Sequence, residues 1–136
     1  MEHPQLIDTR SATVERVSER LIEVRFKPDV KLDAAGIGEM MRAKRALTGT
    51  SEADVLTVMP PDLEFEIAVL AMDHHAVNGG CGGSRRLAFV AGSSLDLRLA
   101  DIYFRYHPRP HDTALFMEED EARRWLDAAV PSPSLS

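Results

Sequence analysis

From Thr13 to Phe26, "TVERVSERLIEVRF", apolar side chains recur at Val14, Val17, Leu21, Ile22, Val24 and Phe26. In the second half they alternate with Glu23 and Arg25 on the opposite face. A period of two is the mark of strands, so the segment predicts two short strands joined by a turn near Ser18-Glu19. Pro28-Asp29 then supplies a turn and Asp33 an N-cap. From Ala34 to Leu47 the period changes: Ile37, Met40, Met41 and Leu47 share one face of a helix that Gly49 can cap. Gly36 and Gly38 weaken that helix by up to about 1 kcal/mol each relative to alanine, so packing must hold it.

The run "ADVLTVM", residues 53–59, has no alternation and reads as a central strand covered on both faces, stopped by Pro60-Pro61. Asp62 is placed to cap a second helix in which Leu63, Ile67, Leu70, Ala71 and His74 share a face, with Glu64 and Glu66 near its positive end. A glycine-rich stretch follows, then a buried strand from Arg86 to Ala91. Gly92-Ser93-Ser94 next opens a third helix, with Leu95, Leu99, Ile102 and Tyr106 as its core face, widened by Leu97, Tyr103 and Phe104. Pro108 ends it. "TALFM" is a last strand and "EEDEARRWLDAA" a last helix with Ala122, Trp125 and Leu126 inward. This order predicts an α/β domain: a mixed, mainly parallel sheet with an antiparallel N-terminal hairpin and about four helices. Residues 1–12 are expected to be a flexible N-terminus, 13–129 a single domain, and 130–136 a flexible Pro/Ser tail.

A chain of 136 residues with 44% hydrophobic and 28% charged positions can bury one core without staples. Its 22 acidic residues against 16 Lys plus Arg give a net charge of -6, which repels a nucleic-acid backbone. The single cysteine rules out an intramolecular disulfide. The first residues show no basic-then-apolar leader and no window approaches the ~20 apolar residues of a membrane helix, so a cytoplasmic location without a membrane span is expected.

Candidate chemistry concentrates in "DHHAVNGGCGGSRR", residues 73–86. Asp73, His74, His75 and Cys81 are zinc-type donors. Adjacent helical residues point about 100° apart, however, so His74 and His75 do not face one ion, and the ordinary reading puts His74 on the core and His75 in solvent. Cys81, with a histidine base and glycine amides as oxyanion donors, is a nucleophile candidate whose thiol Arg85-Arg86 would acidify. Against this, the spacing proves no contact and a small loop residue explains it. "NGGCGGSRR" lacks the lysine of a phosphate loop, and its helix-glycine-strand order is the reverse of one. "RYHPRPH", residues 105–111, offers Arg105 and His107 to an anion or a partner's carboxylates, or simply suits the negative end of a helix. No convergent catalytic set, metal site or cofactor is expected.

Several phrases carry a wider likeness: "RLIEVRFKPDVKLD", "RALTGT", "ADVLTVM", "RRLAFVAGSSLDLRLADIYFRYHPRP" and, most specific, "ALFMEEDEARRWL". Through them the chain resembles the SpoIIAA-like family of small bacterial proteins, within the STAS/SEC14-like group, over nearly all of residues 13–127. The resemblance implies a mixed sheet flanked by helices and a non-enzymatic role in protein-protein interaction or regulation, with a homodimer as one form of it. In the anti-anti-sigma branch a phosphorylated serine stands at the start of the helix after the central strand. Here "PPDLEF", Pro60 to Phe65, occupies that place, and Asp62 is either a fixed negative charge or a plain N-cap. The SEC14-like relatives imply an alternative, a module holding a small apolar ligand or lipid between helix and sheet. A Cys81-dependent enzyme is a third reading. The residues expected at a ligand or partner contact are Asp62, His74, Cys81, Arg105 and His107.

Overall fold

The computed structural model describes residues 5–48, 53–61, 63–66, 68–71, 84–107 and 112–128. Six strands form one sheet whose spatial order is the chain order: β1 (Leu6–Asp8), β2 (Ala12–Ser18), β3 (Leu21–Phe26), β4 (Ala53–Val58), β5 (Ser84–Val90) and β6 (Asp112–Phe116). β1–β2 and β2–β3 pair antiparallel, and β3–β4, β4–β5 and β5–β6 pair parallel. The helices among the described residues are α1 (Ala34–Thr48), the single turn α2 (Ala68–Ala71), α3 (Ser94–Tyr106) and α4 (Glu119–Ala128). The α/β class, the mixed sheet and its antiparallel start are as the periodicities predict.

Each parallel connection advances one strand in the same direction. Because such crossovers are right-handed, this puts α1, α2 and α3 on one face of the sheet and leaves the other to α4. Strand alternation sorts the side chains accordingly. Ile22, Val24, Phe26, Ala53 and Val55 join Ile37 and Met41 of α1 in one apolar cluster. Leu56, Ala88 and Val90 join Ala122 and Leu126 of α4 in a second. β4 supplies both clusters, and its buried run shows why "ADVLTVM" lacks alternation.

α1 starts where the sequence puts it: the Gly36 amide donates to Asp33 Oδ1 at 2.8 Å. A Cβ on Gly36 would stand 2.7 Å from Ser11 Oγ, so this glycine, costly for the helix, is what lets α1 lie close on the start of β2. Gly92 meets a tighter limit, since a Cβ there would lie 2.1 Å from the Pro60 carbonyl oxygen. The exits of β4 and β5 therefore touch backbone to backbone, with the Met59 amide donating to Val90 O at 3.0 Å.

Three expectations need correction. Within the stretch read as a flexible N-terminus, Leu6–Asp8 pair with Thr13–Glu15 as an extra edge strand. Asp62 does not lead directly into a helix, because Leu63–Glu66 is extended. The Leu32 amide donates to Glu64 O at 2.8 Å and the Glu66 amide to Leu32 O at 3.0 Å, a short parallel ladder that a helix would break. Leu95, Ile102 and Tyr106 are not α3's core face but stand 65%, 49% and 77% exposed, while Ala100 and Tyr103 are buried. Glu23 does lie on the face opposite Ile22 and Val24, as the alternation has it, and α4 covers that face, leaving the residue 8% exposed.

Candidate ligand site between sheet and helices

Among the described residues, the helix layer on the α1–α3 face does not close. α1 lies over β2 and β3, while α3 sits toward the opposite edge, where Phe104 meets Phe89 of β5 edge-on with ring centroids 5.8 Å apart. Strands are about 4.8 Å apart, so helices centred on those two pairs of strands stand about 14 Å from each other. Packed helices approach to about 8–10 Å, and the difference leaves a gap over β4 and β5. Among the described residues only α2 reaches across, through Val69.

The gap is a slot of about 170 Å³. Its floor is Val55 and Thr57 of β4 with Leu87 and Phe89 of β5. One wall is Ile37, Met40, Met41 and Lys44 of α1, and the other is Asp96, Leu99, Ala100, Tyr103 and Phe104 of α3. At the carboxyl ends of the strands it is closed by Phe26, Met59, Leu32, Leu63 and Phe65, the last three held by the Leu32–Phe65 ladder. An apolar cavity of about 150 Å³ accepts a benzene-sized molecule, so this slot has room for an organic ligand. Three thioethers and five aromatic rings share its lining with aliphatic side chains, and thioethers adapt to varied shapes.

Two charged side chains enter this apolar surround. Asp96 lies in the first turn of α3, where its amide donates to the N-cap Ser93 Oγ at 3.1 Å. Burial raises its carboxyl above the ordinary range, and a hydrogen bond with Ser93 opposes that shift in part. Lys44 enters from the C-terminal half of α1 and is half-buried.

The opposite face of the sheet carries charged side chains in ion pairs. Arg86 clamps Asp54 with Nε–Oδ1 at 3.1 Å and Nη2–Oδ2 at 2.6 Å, tying β5 to β4, and its guanidinium lies 5.9 Å from the Trp125 ring centre. Glu23 accepts from Arg25 at 3.0 Å and from Arg123 at 2.5 Å. Glu119 accepts from the same two arginines, at 2.8 Å and 2.7 Å for the closest pairs. Arg25, then Arg123, hold the Glu119 carboxyl down at about 2. These residues fasten α4 to the sheet.

The residues singled out by sequence do not converge. Arg105 is exposed on the outer side of α3 and pairs with Asp101 at 3.2 Å. His107 caps α3, its amide donating to Tyr103 O at 2.9 Å, and its ring packs 4.8 Å from the Tyr103 ring. It thus touches the slot only through the back of a wall residue. Asp62, His74 and Cys81 lie outside the described residues, as do His75 and the loop Gly79–Gly83. Among the described residues no three His, Cys, Asp or Glu side chains are grouped to hold a metal, and no helix is long and apolar enough to cross a membrane. Sequence reasoning missed Leu63, Phe65, Lys44 and Asp96. For the first two a signal existed: Leu-Glu-Phe-Glu alternates strictly, the pattern of an extended segment.

Fold and slot together define an α/β domain with an apolar cavity over the middle of a mixed sheet. Residues 16–130 match the family described as Domain of unknown function (DUF7793), and the chain belongs to that family. No curated protein matches the chain. No solved structure matches it either.

Proposed function

We propose that the chain is a non-enzymatic binding module that holds a small apolar molecule in the slot between α1, α3 and the sheet. The observation that carries this is the cavity itself: about 170 Å³, walled by Met and aromatic side chains and already open in the folded chain. Its position between helix and sheet supports the SEC14-like side of the family resemblance. The first test is native mass spectrometry of freshly purified protein, followed by thermal unfolding with added octanol. A retained small-molecule mass, or a rise in Tm that saturates with octanol, is expected; a ligand at 100 times its Kd stabilises by about 2.7 kcal/mol. Ala100→Phe, which pushes a ring into the slot, should fold and lose the octanol response. Clean apo spectra together with a flat Tm overturn the proposal.

A second reading, a SpoIIAA-like protein contact, is favoured by the outer face of α3. Leu95, Ile102 and Tyr106 form an exposed apolar stripe there, bordered by Arg98, Asp101 and Arg105. Two antiparallel copies of this face would set Asp101 of each against basic residues of the other, which makes a second copy of the chain the fitting partner. Sedimentation should give twice 15.1 kDa, and Ile102→Asp should return the monomer. A monomer at high concentration removes this reading.

A further inference from the structure

The floor of the slot is apolar except at one point. Val55 and Thr57 of β4 face it, followed by Met59, and Thr57 stands on one rung with Val24 of β3 and Phe89 of β5. The Thr57 hydroxyl is thus set among hydrocarbon and ring surfaces both along its strand and across it. The residue is 6% exposed, and its hydroxyl has no hydrogen-bond partner among the described residues. The other polar side chains of the lining differ: Asp96 bonds Ser93, and Lys44 and Tyr103 have interactions of their own. Valine would fill the same space without bringing a hydroxyl into it. A buried hydroxyl left unmet bears the dehydration cost of the group with nothing to offset it.

We infer that the ligand is a compact neutral alcohol, an apolar ring body with one hydroxyl that hydrogen-bonds the Thr57 hydroxyl on the floor of the slot. The inference rests on the binding reading above and deepens it by naming the ligand's polar group. Volume sets the body. A space of about 170 Å³ slightly exceeds a benzene-sized cavity, so it takes one ring with a short arm. The lone polar point sets the head group. A threonine hydroxyl offers one donor and two acceptor lone pairs, which match a ligand hydroxyl in either sense; a carboxylate or an ammonium would be dehydrated against a single neutral group. Thr57 is the last but one residue of β4 and Asp96 lies in the first turn of α3, so both belong to the half of the slot at the carboxyl ends of the strands. A carboxyl there opposes an anionic head group, while burial disfavours the charge that would draw a cationic one.

The test is calorimetric titration of the full chain, Thr57→Val and Thr57→Ser with benzyl alcohol, ethylbenzene, benzoate and benzylammonium, which share one ring and differ in the arm. Each probe is compared with itself across the variants, so its own hydration cancels. Thr57→Val should weaken benzyl alcohol about tenfold, the size of one net hydrogen bond, and leave ethylbenzene bound at least as tightly as before. Thr57→Ser, which keeps the hydroxyl, should hold benzyl alcohol within about threefold. Thermal unfolding without any probe separates lost affinity from lost fold: Thr57→Val removes an unmet group and should melt no earlier than the unaltered chain. A lower Tm would mean that the fold itself uses the hydroxyl, and overturns the inference. Equal changes for benzyl alcohol and ethylbenzene, or tighter binding of benzoate or benzylammonium than of benzyl alcohol, also overturn it and leave the slot reading intact. Failure of all four probes, ethylbenzene included, overturns the binding reading itself.

Discussion

On the α4 face of the sheet, Leu56, Ala88 and Val90 are covered by Ala122 and Leu126, and every charged strand residue named there, Glu23, Arg25, Asp54 and Arg86, has an ionic partner. On the α1–α3 face the sheet is more apolar, yet its cover is split and a cavity of about 170 Å³ remains. A single helix centred on its strands closes a face, whereas two helices displaced toward opposite edges leave the middle to whatever occupies it. Polarity alone would have suggested the reverse, since the face richer in charge is the one fastened by ion pairs and the greasier face holds the cavity. Buried charges with partners within 3.2 Å are fastenings.

Three perturbations bear on that contrast. The largest effect should come from Asp54→Ala, which strands the Arg86 guanidinium in a site where its side chain is 8% exposed. Removing one partner of a buried pair costs about 3–5 kcal/mol, read from urea unfolding, while Asp54→Leu with Arg86→Met together should cost far less. If Asp54→Ala costs under about 1 kcal/mol, the pair is not a fastening. Next comes a matched pair of truncations, one on each face. Leu126→Ala opens a new void beneath α4 and should cost about 3 kcal/mol. Leu99→Ala only widens a space that already exists and should cost less than half as much. Equal losses would mean that the slot is packed as tightly as the core.

The smallest effect is acid sensitivity of the α4 fastening. Glu119 has a folded pKa of about 2 against an ordinary value of 4.5, so it contributes stability above about pH 4.5 that is lost as pH falls through about 2. The carboxylate is partly open to solvent, which holds this to about 1 kcal/mol or less. Stability curves of the unaltered chain and Glu119→Gln should therefore differ at neutral pH and converge toward pH 2. Curves that stay parallel would locate the acid response elsewhere.

The sheet was legible in the sequence because its signals are local: "RLIEVRF" alternates, "ADVLTVM" runs unbroken, and "EEDEARRWL" repeats every three to four residues. The site was less so. Leu63 fits a helical face when read with Ile67 and Leu70, and it is the distant Leu32 that holds its segment extended. α3 offers apolar residues all round, so periodicity cannot tell that Leu99 and Tyr103 point inward while Leu95 and Ile102 do not; the position of Phe89 on β5 decides. Lys44 and Asp96 look like ordinary helix charges until their helices are set side by side. A gap between helices comes from where they cross a sheet, which no single segment encodes.

The sequential strand order also has a consequence for how the chain assembles. Since every strand pairs with the one synthesised just before it, the sheet can grow in the order of translation, with each exposed edge covered by the next strand to emerge. The slot face acquires its helices along the way, one per crossover. The other face waits for α4, which follows β6, so Leu56, Ala88 and Val90 stay open to water and to other chains until Glu119–Ala128 has emerged. The interval before α4 emerges, rather than the pairing of the sheet, carries the greatest aggregation risk, and the arginine-carboxylate fastenings of α4 are the step that ends it.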